Sequence, residues 1–336
     1  MGRELGVRYV LDGSVRKGGN RVRVAAQLIE AISGTHIWAD RYDRDLIDIF
    51  AVQDEITASV AGVIEPALAQ AEQQRVLRKQ PERLDAWEAY QRGLWHFYKF
   101  GAEDNKNAQT FFRQAIALDP NFAPGHYGYS LALFWDFWLY STRSVAEVQE
   151  TALGEACIAV SLDEKDAMAR AVLAVMTGLV GEFEASIVEA RTALALNPSS
   201  AFVTAVLGRA LISGGKHEEA INHLRQALRA SPHDPLIWLW KSFLAHAQFN
   251  LRDFTAALET LRHVIQIRPE HAWAHEHIVA SLAYLGHLNE AREALERARV
   301  QFPGYFQRYR QRPRWRGPKE WEMLVEGLRL AAEEES

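Results

Sequence analysis

Three histidines near residue 275 have the type and spacing that come nearest to a metal site. His271 and His275 are four residues apart, so a helix would place them on one face, and imidazoles at this spacing are a common zinc pattern. No cysteine lies nearby, and Glu276 would point to a different side of the helix from His275. We therefore interpret His271, His275 and His277 as the solvated start of a helix and predict no metal site.

Three other features could support chemistry. The glycine pair in 17–20 could hold a phosphate, but no helix follows it and the sequence lacks a Gly-x4-Gly-Lys-Ser/Thr pattern. Charges gathered in 41–45 could act as acid and base, and we interpret them as a solvated turn. Cys157 is the single cysteine, so no internal disulfide can form, and its apolar neighbours indicate a buried, inert thiol. We expect no catalytic residue and no cofactor.

Charge and hydropathy bound the cellular setting. The 336 residues include 38 Lys and Arg against 43 Asp and Glu, for a net charge of −5. Residues 1–80 carry 11 basic and 11 acidic side chains, so that part has no positive excess. A basic, aromatic stretch at 308–319 could contact phosphates, but its surroundings are balanced, and we predict no nucleic-acid partner. The start of the chain lacks the apolar core of a signal peptide, and the longest apolar run, 171–180, is too short to span a bilayer. We predict a cytoplasmic protein without a membrane segment.

One short phrase recurs through residues 81–303. Each copy is a helical run of small and apolar residues, and all but one copy end in proline, which cannot continue a helix. The closing residues are Pro120, Glu164, Pro198, Pro232, Pro269 and Pro303. By subtraction their spacings are 44, 34, 34, 37 and 34. A period of 34 with this ending is typical of tetratricopeptide repeats, in which each repeat is a pair of antiparallel helices.

Positions inside the copies agree with this period. Small residues such as Ala108, Gly208 and Ala220 lie where the two helices of a pair should cross, and glycines such as Gly181 and Gly286 mark the turns. We predict about six helix pairs over 81–303. Residues 304–336 then form a basic linker and a capping helix. The apolar residues expected to cover the end of the solenoid are Trp321, Leu324, Val325 and Leu328.

Residues 1–80 have a different pattern. Apolar and polar residues alternate in 7–16 and in 21–29, and the glycines between them favour a hairpin. A third strand is predicted at 35–42. A helix follows from about Asp48, with a break or a kink expected at Pro66. The predicted fold class is mainly α, a tetratricopeptide-repeat α-solenoid with a small N-terminal α/β domain of three antiparallel strands and a helix.

Such a sheet is too small to make a good core, and it leaves an edge strand open. We therefore expect a missing part of the domain, or another chain, to complete the sheet. If the other chain is a second copy, the protein would form an oligomer through the sheet edge.

Four segments of the N-terminal part resemble one known arrangement. They are Glu4–Arg16, Arg21–Ile29, Gly34–Leu46 and Asp48–Ile56. They are similar to the back half of the TolB/FlgO-like α/β domain that precedes tetratricopeptide repeats in two bacterial families. One is the class III adenylate/guanylate cyclases with C-terminal repeats, and the other is the CadC-like transcriptional regulators with a winged helix. The tail, at 317–329, is similar to that of the cyclase type.

The resemblance implies a regulatory module in signal transduction. In both families the effector domain lies upstream, and no position of this sequence matches a cyclase metal ligand or a DNA-recognition helix. We expect the chain to be a C-terminal fragment, a truncated paralogue, or a gene with a late assigned start. Activity as an enzyme stays open at this point, because the parent protein could be a nucleotide cyclase or a winged-helix regulator.

The first helices of such repeats line a concave face. In the standard register its inward positions are mostly apolar and aromatic, and any one of them could instead pack between helices. Those predicted to bind a partner are Trp87, Tyr90, Phe97, Tyr127, Phe134, Phe202, Arg209, Phe243, His246 and Trp273. Leu94, Leu236 and Glu276 share the same face. We predict a non-catalytic scaffold that holds an apolar peptide or helix there, from another protein or from its own upstream effector domain.

Overall fold

The computed structural model describes residues 7–45, 49–77, 84–140, 145–303 and 318–332. Those ranges contain three strands and fourteen helices, so the predicted class, mainly helical with a small antiparallel sheet, is confirmed. The chain divides into two units, Met1–Pro120 and Asn121–Ser336. The predicted domain boundaries after residues 80 and 303 fall at segments outside the described residues and stay predictions.

The first unit begins with the sheet. Its strands are β1 (Tyr9–Gly18), β2 (Arg21–Glu30) and β3 (His36–Asp45), which pair antiparallel in that order. Gly19 makes the first turn with φ of 60°, a left-handed conformation that glycine adopts without strain. The register pairs Leu11 with Leu28 and Val15 with Val24. Leu28 is buried, whereas Leu11 and Val15 on the edge strand are 53% and 69% exposed.

Helix α1 spans Ile49–Val76 without interruption. A break at Pro66 is therefore wrong, and the alternative, a kink there, stays a prediction. An interior proline costs a helix about 3 kcal/mol, but packing on either side of it, where Ile56 and Val76 are buried, favours one continuous helix.

A buried carboxylate ties the sheet to the helices of the first unit. Glu72 of α1 accepts hydrogen bonds from Tyr9 Oη and Arg8 Nη1, both at 2.6 Å, and from Arg75 Nη2 at 3.0 Å. Burial alone would raise the pKa of Glu72, but the bonds from Tyr9, Arg8 and Arg75 more than offset it and hold that pKa below its usual value. Arg75 also reaches Glu88 at 3.2 Å. This network fixes the start of β1 to the end of α1.

Six helix pairs follow α1 in the described part of the chain. The first unit contains α2 (Ala86–Phe97) and α3 (Ala102–Leu118). The second unit contains α4 (Ala123–Trp138), α5 (Val145–Leu162), α6 (Ala167–Val180), α7 (Phe183–Leu196), α8 (Ala201–Ser213), α9 (His217–Ala230), α10 (Ile237–Asn250), α11 (Phe254–Ile267), α12 (Ala272–Tyr284) and α13 (Leu288–Gln301). A last helix, α14 (Pro318–Ala332), corresponds to the predicted capping helix.

Small residues set how closely the two helices of a pair approach. Ala108 and Ala220 are fully buried. At Gly208 of α8 an added Cβ would lie 2.6 Å from Cγ of Leu224 on α9, so only glycine allows this contact. The turns within pairs use glycine for a second reason, since Gly181 and Gly286 have φ of 93° and 80°.

One prediction for this region is wrong. Cys157 on α5 is exposed, not buried. Its apolar neighbour Ala156 is fully buried, so the core-facing side of α5 lies one position away, and adjacent helix residues point in different directions. Although Cys157 is exposed, neighbouring atoms remove part of the water around its thiol, and this desolvation together with the nearby Glu189 raises the pKa of the thiol, which disfavours the reactive thiolate.

Two mid-helix glycines of the second unit should respond oppositely to alanine. Gly208→Ala should lower the free energy of unfolding by about 1–3 kcal/mol, because its Cβ overlaps the buried Leu224. Gly154→Ala on α5, where nothing lies within 4 Å, should raise it by about 0.5–1 kcal/mol through helix propensity. Urea titration followed by circular dichroism measures both. Equal effects of the two changes would contradict the close crossing at Gly208.

Candidate functional site

Three of the predicted partner-binding residues lie on α2 in the first unit. Tyr90 and Phe97 are buried, and their ring centroids are 5.7 and 6.5 Å from that of Phe112 on α3. They contribute to the core of their helix pair. Trp87 is 43% exposed and is the one of the three with substantial accessible surface.

In the second unit, first helices from distant pairs meet through aromatic rings. Phe134 stacks on Trp138 within α4, with centroids 5.8 Å apart, and Trp138 reaches Phe243 of α10 at 6.3 Å. The guanidinium of Arg209 on α8 lies over the Phe134 ring at 5.6 Å. We call Phe134, Trp138, Arg209 and Phe243 the central cluster. It joins α4, α8 and α10 on one face, and that face is the candidate groove.

The other predicted residues of this face lie around the central cluster. Tyr127 is buried on α4, and Phe202 is half-buried at the beginning of α8, two turns before Arg209. Sequence reasoning missed Trp138. The signal was present, because Trp138 is four residues beyond Phe134 and therefore shares its helix face.

Arg209 brings a positive charge into the groove. Its Nη1 donates to the carbonyl oxygen of Val175 on α6 at 3.4 Å, and the side chain is only partly accessible. Burial lowers its pKa to about 10, so the guanidinium stays charged at neutral pH. Within the described ranges no carboxylate lies at ion-pair distance from Arg209. A charge held in such surroundings is costly unless an anion compensates it.

A second cluster contains the histidines. Trp273 of α12 stacks on His277 at 3.9 Å, and His246 of α10 meets both rings edge-on at 5.4 Å. His271 packs edge-on against Trp138 and Trp238 at 5.9 and 5.0 Å. We call His246, His271, Trp273 and His277 the histidine cluster.

The histidine cluster corrects the expectation of a solvated helix start. His271 is 6% and His277 is 1% exposed, because aromatic rings from α4 and α10 cover the beginning of α12. Burial, followed by the nearby charges of Arg268, His275 and His277, lowers the pKa of His271 to about 3, so its ring is neutral. Across the described part of the chain, no three His, Cys, Asp or Glu side chains are arranged to hold a metal ion.

Helix α14 covers the end of the same face. Tyr284 Oη of α12 donates to the carbonyl oxygen of Met323 at 2.7 Å, and Leu324 is buried in a cluster with Phe249 of α10 and Ala280 of α12. Glu320 reaches back to His246, with Nε2 3.9 Å from its carboxylate. Among the four residues predicted to cover the solenoid end, Leu324 is buried, whereas Trp321, Val325 and Leu328 are half-buried.

Known proteins match the repeats. Two tetratricopeptide repeat family models match, one over residues 180–235 and the other over residues 211–262. The chain folds as a tetratricopeptide-repeat solenoid with a small N-terminal sheet. It is similar to two solved structures, each at 16% identity, and this likeness concerns the fold alone. One is the APC/C hetero-tetramer Cut9–Hcn1, with a TM-score of 0.58 over 82% of this chain and 47% of that one. The other is the human IFIT1 dimer with m7Gppp-AAAA, with a TM-score of 0.54 over 66% and 49%.

A curated relative also matches part of the chain. It is named "Putative adenylate cyclase 3", from Rhizobium meliloti (strain 1021), and is 35% identical over 173 residues. The match covers 52% of this chain and 30% of the relative, so this chain spans less than a third of that protein's length. In the described ranges, no helix is both long and apolar enough to cross a membrane.

The buried neutral His271 predicts a pH dependence of stability. Its ordinary pKa is near 6.5, and the folded state lowers it to about 3. Between these values the unfolded chain binds a proton that the folded chain does not, so stability falls as pH falls, by up to about 1.4 kcal/mol per pH unit. His271→Phe keeps the ring and should reduce this slope between pH 6 and 4.

Urea titrations at several pH values measure the slope. The matched control is His263→Phe, at an exposed position of α11. An unchanged slope in His271→Phe would contradict the burial of a neutral imidazole.

Proposed function

We propose that the chain is the regulatory interaction module of a signalling protein and that it binds an apolar peptide or helix bearing a carboxylate in the groove. Tetratricopeptide repeats are protein–protein interaction scaffolds, and this supports a protein or peptide partner. The observation that carries the finer proposal is Arg209, whose charge has aromatic neighbours and no carboxylate partner among the described residues.

The chemistry of the central cluster suits such a ligand. Trp138 and Phe243 are half-buried and offer ring surface to apolar side chains, and the buried Phe134 ring packs against Trp138. Arg209 offers a planar donor that matches a carboxylate, and its partial burial strengthens the attraction compared with water. Apolar contact would therefore supply affinity, and the charge would select an acidic residue at one position of the ligand.

Loss of the groove charge should weaken binding. Peptides of twelve residues selected from a random display library against the full chain should combine aromatic or aliphatic residues with an Asp or Glu. Arg209→Gln should weaken their binding at least ten-fold, or about 1.4 kcal/mol. Arg225→Gln, at an exposed position of α9, should leave it within two-fold. Fluorescence anisotropy measures both. Selected peptides that lack acids, or that bind Arg209→Gln equally well, would overturn the proposal.

We further propose that the effector is a class III nucleotide cyclase domain upstream of these residues, acting in the cytoplasm. The TolB/FlgO-like and cyclase-type resemblances support this, together with the 35% identity to an adenylate cyclase relative. The open edge of β1, with Leu11 and Val15 exposed, supports packing of further structure there. If no upstream part is present, a second copy would pair at the same edge.

The size of the native product tests the effector proposal. An antibody against the repeats should detect a protein larger than the 38.0 kDa of this chain, and mass spectrometry of that band should identify cyclase peptides. A product of 38.0 kDa would contradict the upstream effector. Light scattering would then measure the mass of that product in solution. A dimer would agree with pairing of two copies at the β1 edge, and a monomer would contradict edge pairing as well as the upstream effector.

A further inference from the structure

The position of α14 differs from that of every comparable helix in the second unit. The first helices α6, α8, α10 and α12 each pack on the second helix of their own pair and, of the two helices in the preceding pair, more on the second than on the first. Helix α14 instead packs mainly on α12, a first helix, and less on α13. It therefore does not extend the stack as a seventh pair would, but lies against the face that forms the groove.

Contacts along α14 give its direction. Met323 meets Tyr284, and Gly327 faces Ala280, so moving forward along α14 means moving backward along α12. The two helices are antiparallel. An amphipathic helix that lies along a groove with anchors at intervals of three and four residues is a common form of peptide recognition.

The contact is shaped for one helix face. A Cβ added at Gly327 would lie 2.7 Å from Cβ of Ala280, so glycine allows the backbones to approach. Leu324 and Ala331, on the same face, are each 1% exposed. At the beginning of the helix, one oxygen of Glu320 lies 3.4 Å from Nε2 of His217, and the other faces His246.

Read along the chain, this face is a carboxylate followed by Leu, Gly and Ala at four, seven and eleven residues further on. On the opposite side of α14, Glu322 and Arg329 are exposed, and Trp321 and Val325 are half-buried. The buried face of α14 is therefore the one that carries Leu324, Gly327 and Ala331.

We propose that α14 is a removable occupant of the groove between α10 and α12, and that a partner helix of the same chemistry binds by replacing it. The partner helix would carry a carboxylate that faces His217 and His246, as Glu320 does. It would also carry a leucine that packs against Phe249, as Leu324 does, and a small residue opposite Ala280. Because α14 is tethered to the groove, it competes at a high effective concentration. The partner site would thus stay closed until a helix that binds more tightly arrives. This inference rests on the proposed interaction function.

A synthetic peptide of residues 314–336, labelled with fluorescein, is the probe. Two changes in the full chain should release α14 while leaving the groove intact: Gly327→Leu, which inserts bulk against Ala280, and Leu324→Ser, which removes the buried anchor. Each variant should bind the peptide at least ten-fold more tightly than the unchanged chain does. Glu322→Gln, on the exposed side of α14, should behave as the unchanged chain. The same peptide carrying Gly327→Leu should bind none of the chains.

Hydrogen exchange of the unchanged chain gives a second measurement. An excess of the peptide, made with heavy isotopes so that its fragments are distinguishable, should increase exchange of the amides of 318–332 in the chain. Folded variants that do not bind the peptide would overturn the proposal, and so would variants that fail to fold, since α14 would then be a permanent part of the fold. If library peptides bound Arg209→Gln as well as the unchanged chain, the proposed function would be contradicted, but the two measurements on α14 would still stand.

Discussion

The close crossing of two helices within each pair is the constraint on which the rest of the second unit depends. At Gly208 the backbone of α8 meets Leu224 of α9 with no room for a Cβ. In the first unit the same relation recurs, since a Cβ at Gly93 would lie 2.5 Å from Cε1 of Phe112. A small residue against a large one lets a pair close, and closed pairs stack with their first helices on one face. The groove is a consequence of that packing, and its chemistry comes from what the first helices carry there.

Two basic side chains beside the groove, Arg209 and His271, are in different electrostatic states. Arg209 keeps its charge although burial lowers its pKa to about 10, whereas His271 is neutral because burial lowers its pKa to about 3. The difference follows from their ordinary pKa values, since a comparable penalty leaves a guanidinium protonated at pH 7 and an imidazole not. One fixed charge thus lies among aromatic rings. Desolvation of this guanidinium destabilises the folded state, and an ion pair with an anionic ligand would offset part of that destabilisation.

Periodicity in the sequence was enough to predict a solenoid of paired helices and the antiparallel sheet, because each depends on contacts within one repeat or between neighbouring strands. The partner-binding role of the groove face stays a prediction. What it could not predict depends on contacts between distant segments. Trp138 meets Phe243 across three pairs, and His271 and His277 are buried by rings from other helices. Continuity of α1 at position 66 depends on tertiary packing rather than on local preference. The amphipathic pattern of α14 predicted a helix, but a pattern alone does not say which neighbour its apolar face will choose.

The central cluster and the site of α14 are neighbours on one helix. Phe243 belongs to the first and His246 contacts Glu320 of the second, and three residues along α10 place both side chains on the same face. A ligand that pairs with Arg209 and continues along α10 would reach the position of Glu320 within about one helical turn. Binding at Arg209 and displacement of α14 are then linked. A ligand that is already bound at Arg209 needs less additional free energy to replace Glu320 and the rest of α14. A long partner helix would use both parts of the groove, and the tethered α14 would set the minimum affinity that such a partner must exceed.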